Sequence, residues 1–167
     1  MSGGVIVGIN PTAVRTSAEG AEFNPGTIGT ALDADGKVLK YRYVQYEAGA
    51  GSVASVAGRF ASVYAAGAAG GAATSPDIVT MDGSDSLPVG VGVFQAVIAD
   101  GGYGWLQISG VATLSVALVA GADGNALTRV GASADTGDLD VSALVTDHIC
   151  AIALDASASI VLLTCPD

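Results

Sequence analysis

Apolar and polar residues alternate with a period of two along most of this chain, the pattern of strands with one buried face. Val38, Lys40, Arg42 and Val44 interleave with Leu39, Tyr41, Tyr43 and Gln45. Thr27 to Leu32 precedes them across Asp33-Ala34-Asp35-Gly36, a turn whose Asp and Gly residues tolerate left-handed backbone. A hairpin is therefore predicted, with Tyr41 and Tyr43 on one face. From Val89 onward, Val91, Val93, Gln95 and Val97 alternate with Gly92, Phe94, Ala96 and Ile98, and Asp100-Gly101-Gly102 closes that strand. Leu106, Ile108, Ala112, Leu114, Val116 and Leu118 all occupy even positions, with Gly110 between them on the same parity. The apolar phase thus survives the glycine, which predicts a long strand bent at Gly110, as at the corner of a barrel or sandwich.

Further turns are read at Gly121 to Asn125 and Asp135 to Asp138, and a last hairpin joins Ile149–Leu154 to Ile160–Cys165 around Asp155 to Ser159. Ala48 to Ser75 is nearly all Gly, Ala, Ser and Val. Its alanines would suit a helix, but Gly58 and the β-branched valines favour a strand near Ser55 to Tyr64, then a Gly/Ala-rich loop over about residues 65–76. Residues 1–30 carry Asn10-Pro11, Asn24-Pro25-Gly26 and no sustained period, so an extended N-terminal arm is expected, followed by a single β domain over 31–167. The fold class is all-β, a small β-barrel or sandwich.

Composition sharpens this picture. Of 167 residues, 24 are Gly; 50% are hydrophobic and 13% charged, about half the ~25% of an ordinary soluble domain. So apolar a chain is not disordered, and so little charge leaves surface that wants a partner. The net charge of -10 is uneven: residues 1–59 hold five basic and five acidic side chains, whereas the other 108 residues hold Arg129 against eleven Asp. An acidic body of that kind repels phosphate backbones, which argues against nucleic-acid binding. Met1 to Val14 lacks the basic start of a secretory signal peptide. The uncharged run Gly101 to Ala122 is long enough to cross a membrane, but Gln107, Ser109, Thr113 and Ser115 recur on one parity, so strands are read instead of a span.

Chemical templates fit poorly. The chain has no nucleophile elbow, phosphate loop, dinucleotide-binding glycine pattern or H-E-x-x-H helix, and His148 is its one histidine. His148 and Cys150 share a strand face but imply no oxyanion donors, so a strand-entry His beside a buried Cys is the simpler account. A two-residue turn at Ser157-Ala158 would set Cys150 opposite Cys165; reduced, buried thiols are expected. Asp135, Asp138 and Asp140 gather in one loop without EF-hand spacing and are read as a solvated turn; no metal and no cofactor is expected. Tyr103 and Trp105 share a face beside a Gly-rich turn, suiting a ligand or a neighbouring subunit.

Pro25-Gly26-Thr27-Ile28-Gly29, Asp35-Gly36-Lys37 and Lys40-Tyr41-Arg42-Tyr43-Val44 resemble the start of the small decoration, or cement, proteins of tailed-bacteriophage heads. The similarity resumes at Pro88-Val89-Gly90-Val91-Gly92 and is strongest over Gly102-Tyr103-Gly104-Trp105-Leu106-Gln107-Ile108-Ser109-Gly110. It covers about a third of the chain and does not extend to the Ala65 to Ala73 stretch. The resemblance implies a β-tulip or small barrel, a homotrimer, and reinforcement of the major capsid protein lattice from the virion exterior, without catalysis. On that footing Arg15, Phe23, Lys37, Lys40 and Arg42 are candidates for contact with capsid protein, the arm lying along it or along a neighbouring subunit. Tyr103 and Trp105 are candidates for the subunit interface. The alternative is a host- or glycan-binding β-module of a phage or bacterial surface structure, with Tyr103 and Trp105 as its platform; an enzyme ranks third.

Overall fold

The computed structural model describes residues 5–65, 75–129 and 137–165, with side chains from residue 7 onward. The chain is all-β. Its strands are β1 (Val5–Val7), β2 (Ile28–Leu32), β3 (Val38–Tyr46), β4 (Phe60–Tyr64), β5 (Ile78–Thr80), β6 (Ser86–Phe94), β7 (Tyr103–Thr113), β8 (Ala126–Arg129), β9 (Leu139–Val141), β10 (Ile149–Asp155) and β11 (Ile160–Thr164), with one short 3-10 turn at Gly83–Asp85. They form one sheet in the order β1-β2-β3-β5-β4-β6-β7-β11-β10-β8-β9, and β3 also pairs with β7. That extra pairing closes β3, β5, β4, β6 and β7 into a barrel-like ring. A ring removes the open edges that those strands would otherwise present. β1 and β2 extend the sheet beyond β3, and β11, β10, β8 and β9 extend it beyond β7.

β3 and β7 hold the molecule together because each is long enough to serve several partners. β2 pairs with the first half of β3 (Leu32 opposite Val38, Ile28 opposite Arg42), and β5 takes its end at Gln45 and Tyr46. Along β7, Tyr43 faces Trp105 on the β3 side, Val93 faces Gln107 on the β6 side, and β11 pairs with the final residues from Ser109 to Thr113. The alternation of β3 therefore feeds two cores. Val44 and Tyr46 join Phe60, Met81, Phe94, Leu106 and Ile108 inside the ring, while Leu39, Tyr41 and Tyr43 form a second cluster with Trp105. The first cluster runs on under the extension through Leu127, Leu139, Cys150, Val161 and Leu163.

The hairpin over Asp33 to Gly36 forms as expected. Asp33 accepts hydrogen bonds from the N–H groups of Asp35 and Lys37, and Gly36 takes the left-handed φ of 78° that the turn requires. Gly110 has φ of 93° within β7, and the apolar phase crosses it: Ile108, Ala112 and Leu114 are all buried. The strand ends at Thr113, so Val116 and Leu118 keep the phase without keeping the ladder. Gln107 bridges the bend. Its buried side-chain amide donates to the carbonyls of Ser109 (3.3 Å) and Val111 (2.9 Å), on either side of Gly110.

Two strand boundaries and one register differ from expectation. β4 begins at Phe60 because Gly58 turns with φ of 79°, and Ser55 upstream is held by its hydroxyl, which accepts from Ile98 N and donates to Ile98 O. β6 stops at Phe94, and the chain turns over Gln95 to Asp100. In the last hairpin Ala151 faces Leu163, a register one residue off from setting Cys150 against Cys165; a bulge between Ala153 and Asp155 accounts for the slip. The Gly/Ala-rich loop and Asp135 lie outside the described residues.

Candidate functional site

The segment from Val7 to Thr27 is laid across its own sheet. Gly8 N and Ile9 N donate to Thr30 O, Arg15 and Tyr103 exchange two backbone hydrogen bonds of 2.9 and 2.8 Å, and Gly26 N reaches Tyr43 O. Glu22 N donates to the Tyr43 hydroxyl at 3.2 Å. Apolar contacts reinforce these bonds. Phe23 meets Tyr43 edge-on with centroids 5.4 Å apart and lies 5.5 Å from Trp105, while Tyr43 stacks on Tyr103 and sits edge-on to Trp105 at 4.9 Å. Such aromatic pairs contribute about 0.5–1.5 kcal/mol each beyond the area they bury. The expected extended arm is thus a strap on its own sheet, with Ile9 and Phe23 packed against the aromatic cluster of β3 and β7.

The candidate site residues differ in how far they reach the surface. Trp105 is 2% exposed and Tyr103 half-buried, so the ring proposed for a partner subunit or a sugar is covered by the chain's own strap. Phe23 faces inward, onto Trp105, and a cavity of about 200 Å³ lies beside the two rings. Arg42 is 9% exposed and turned toward Asp77, with Nη1 3.8 Å from Oδ1. A buried guanidinium of this kind serves the fold, not a docking face.

Arg15, Lys37 and Lys40 keep their place near the surface. The Arg15 side chain is 44% exposed and paired with Glu22 (3.3 Å) and Glu19 (3.9 Å); Lys37 is 70% exposed beside Asp35. The Leu32–Val38 pair, each about two-thirds exposed, caps the same hairpin, so its tip offers apolar surface next to a cation. Sequence reasoning found the cations but missed the apolar pair; both lie outside the buried part of the alternation, which was the available signal.

The Ala48 to Ser52 loop has a separate basis. Ala48 N donates to Asp100, Ala50 N to Asp85 and Gly51 N to Asp82. Burial pushes the Asp82 carboxyl up, but hydrogen bonds from Ser84, Gly51 and Asp85 outweigh it and hold the group below its ordinary range. Burial together with Asp100 pushes Glu47 the other way. Among the described residues no group of three or more His, Cys, Asp or Glu is arranged to hold a metal ion. Cys150 donates to Leu127 O and Cys165 to Cys150 O, so neither thiol engages His148; burial raises both, Cys165 to about 12. Asp138 lies 3.4 Å from Arg59, and Asp140 accepts from Val141 N.

No helix among the described residues is long and apolar enough to cross a membrane. No protein-family model, curated protein or solved structure matches the chain.

Proposed function

We propose that this chain is a structural protein of a tailed-phage virion, binding the outside of the head and reinforcing contacts between major capsid protein subunits, as a homotrimer. One observation carries the reading. The stretches that resemble cement proteins are scattered over the sequence, yet they fall on β2, β3, β6 and β7, which are hydrogen-bonded neighbours, and on the segments that lead into β2 and β3. The similarity therefore traces one contiguous structural unit, with Tyr43 and Trp105 facing each other at its middle.

In such a role the ring supplies rigidity and the exposed surface supplies contact. The β2–β3 tip, with Leu32, Val38 and Lys37 exposed beside half-buried Lys40, is the part suited to meet acidic capsid surface. Apolar burial there gains roughly 25 cal/mol per Å², a modest amount per copy that a lattice repeats many times.

The test is co-sedimentation of the purified chain with undecorated heads, together with mass spectrometry of virions. Binding that saturates at a stoichiometry near that of the major capsid protein is expected, and it should weaken on charge reversal, Lys37→Glu with Lys40→Glu. Absence from virions, or failure to bind heads, sinks the proposal.

A further inference from the structure

Four aspartates in the chain are followed by glycine, at Asp35-Gly36, Asp82-Gly83, Asp100-Gly101 and Asp123-Gly124. In such a pair the glycine nitrogen can attack the carboxyl carbon of the aspartate before it, and a glycine has no Cβ to shield that approach. The attack closes a cyclic imide, a succinimide, and expels water. Tertiary structure decides where the ring can form, because the carboxyl and the glycine N–H must both leave the hydrogen bonds that hold them. The asparagines offer no rival: Asn10 and Asn24 precede proline, which has no N–H, and the Asn125 side-chain oxygen accepts from Ala122 N.

Three of the pairs are buried or tied to distant parts of the chain. Asp82 is 2% exposed, its carboxylate accepts from Gly51 N and from the N–H and hydroxyl of Ser84, and Gly83 is buried with it. The Asp100 carboxylate accepts from Ala48 N at 2.8 Å, while Gly101 N donates to Tyr46 O at 2.9 Å. The Asp123 carboxylate accepts from Ala156 N at 2.9 Å, while Gly124 N donates to Ala153 O at 2.8 Å. Asp35 differs from all of these. Its side chain is 78% exposed, with Lys37 Nζ 3.9 Å away, too far for a hydrogen bond. Gly36 N donates to Asp33 O at 3.1 Å, inside the same turn, and a methyl group placed on Gly36 would meet nothing within 4 Å. At the β2–β3 tip the ring therefore closes by local motion, whereas at the other three pairs a contact between separate segments, or the core itself, has to open first.

We infer that Asp35-Gly36 is a site of spontaneous covalent modification, where the folded protein converts aspartate to isoaspartate. Gly36 N bonds to Asp35 Cγ and loses its proton, and the carboxyl oxygen leaves as water. A second water then opens the ring. Addition at Cγ restores aspartate; addition at the former main-chain carbonyl breaks its bond to Gly36 N, frees that carbon as a carboxylate and leaves the chain running through Cβ and Cγ. No oxidant or cofactor takes part, and the mass of the product equals that of the starting chain. The product carries an extra main-chain carbon between Asp35 N and Lys37 N, which both donate to Asp33 Oδ1, at 2.9 and 2.8 Å. The two bonds no longer fit one turn, so the tip that presents Leu32, Lys37 and Val38 changes shape. The inference does not rest on the virion role.

Incubation of the full native chain in mildly acidic buffer tests it, since part of any exposed carboxyl population there carries the proton that leaves with water. Isoaspartate is located by electron-transfer fragmentation of proteolytic peptides and counted by methyl transfer from labelled S-adenosylmethionine with an isoaspartyl methyltransferase. It is expected at Asp35 roughly tenfold ahead of Asp82, Asp100 and Asp123, because two or more hydrogen bonds must open at each of those against one at Asp35. In denaturant the four sites should react at similar rates, which assigns the order to the fold. Asp35→Glu keeps the charge but would need a larger ring, so it should abolish the early signal. Modification elsewhere among the four as early as at Asp35, a native Asp35 that stays aspartate, an order that survives unfolding, or labelling of Asp35→Glu as fast as wild type overturns the inference. Head binding is read separately, so failure of one proposal leaves the other standing.

Discussion

Replacing Gly110 with alanine perturbs the point where β7 leaves the ring and joins the extension. Its φ of 93° is reached readily by glycine alone, and holding another residue in such a region costs about 1–3 kcal/mol. The new methyl would also collide with Leu39 Cδ2, the end of a side chain 9% exposed in the aromatic cluster. Forcing an extra carbon into packed surroundings costs about 1–3 kcal/mol more, reduced by whatever Leu39 can yield. The sum, about 2–5 kcal/mol, is a large share of the 5–15 kcal/mol that holds typical domains folded. At about 2–4 °C per kcal/mol, the midpoint of thermal unfolding should fall by roughly 10 °C, followed by circular dichroism or calorimetry. A double-mutant cycle with Leu39→Ala separates the two contributions: the coupling measures the collision, and what remains measures backbone strain. A Gly110→Ala protein within about 0.5 kcal/mol of wild type would refute the bend as a glycine-dependent corner.

Trp105→Ala should cost about 3–5 kcal/mol, since it empties the space between Phe23 and Tyr43. As Trp105 is the sole tryptophan, its emission reports the strap directly: deletion of residues 8–24 should shift it to the red and lower stability, and an unchanged spectrum would mean that the strap does not cover the ring. Asp82 sits below its ordinary range net of burial, and hydrogen bonds hold Asp147 and Asp155 low as well. Their contribution is present above the unfolded value of about 3.9 and is lost as pH falls through the lower folded values, so thermal midpoints should drop below about pH 4, less steeply in Asp82→Asn. Raised Glu47 acts in the opposite sense, destabilising only where it must ionise. Cys150 and Cys165, both raised by burial, should resist thiol reagents at pH 8 in the native protein and react fully once it is unfolded; prompt native reaction would contradict their burial.

Much of the fold was legible because it is local. The β2–β3 hairpin follows from its Asp/Gly turn and its alternation, and the buried parity through Gly110 follows from counting. The all-β class follows from β-branched residues and turns with few Glu and Lys. The site was less legible. Lys40 and Arg42 share one parity and look alike in sequence, but Arg42 comes beside Asp77, and lies opposite Ile28 and Leu106, only when β2 and β7 flank β3. Likewise Trp105 is equally plausible as platform or core until the strap is seen to lie on it.

The sequence by itself determined which residues alternate, where the chain turns, and that all of its net charge lies in the C-terminal two-thirds, since these depend on near neighbours and on counting. Only the tertiary structure decided that β3 meets β7 to close a ring, that residues 7–27 fold back over the aromatic face, and that three carboxylates hold the Ala48–Ser52 loop. Each of these depends on contacts between residues 20 to 80 or so apart in the chain, whose pairing is selected by which apolar faces can be buried together.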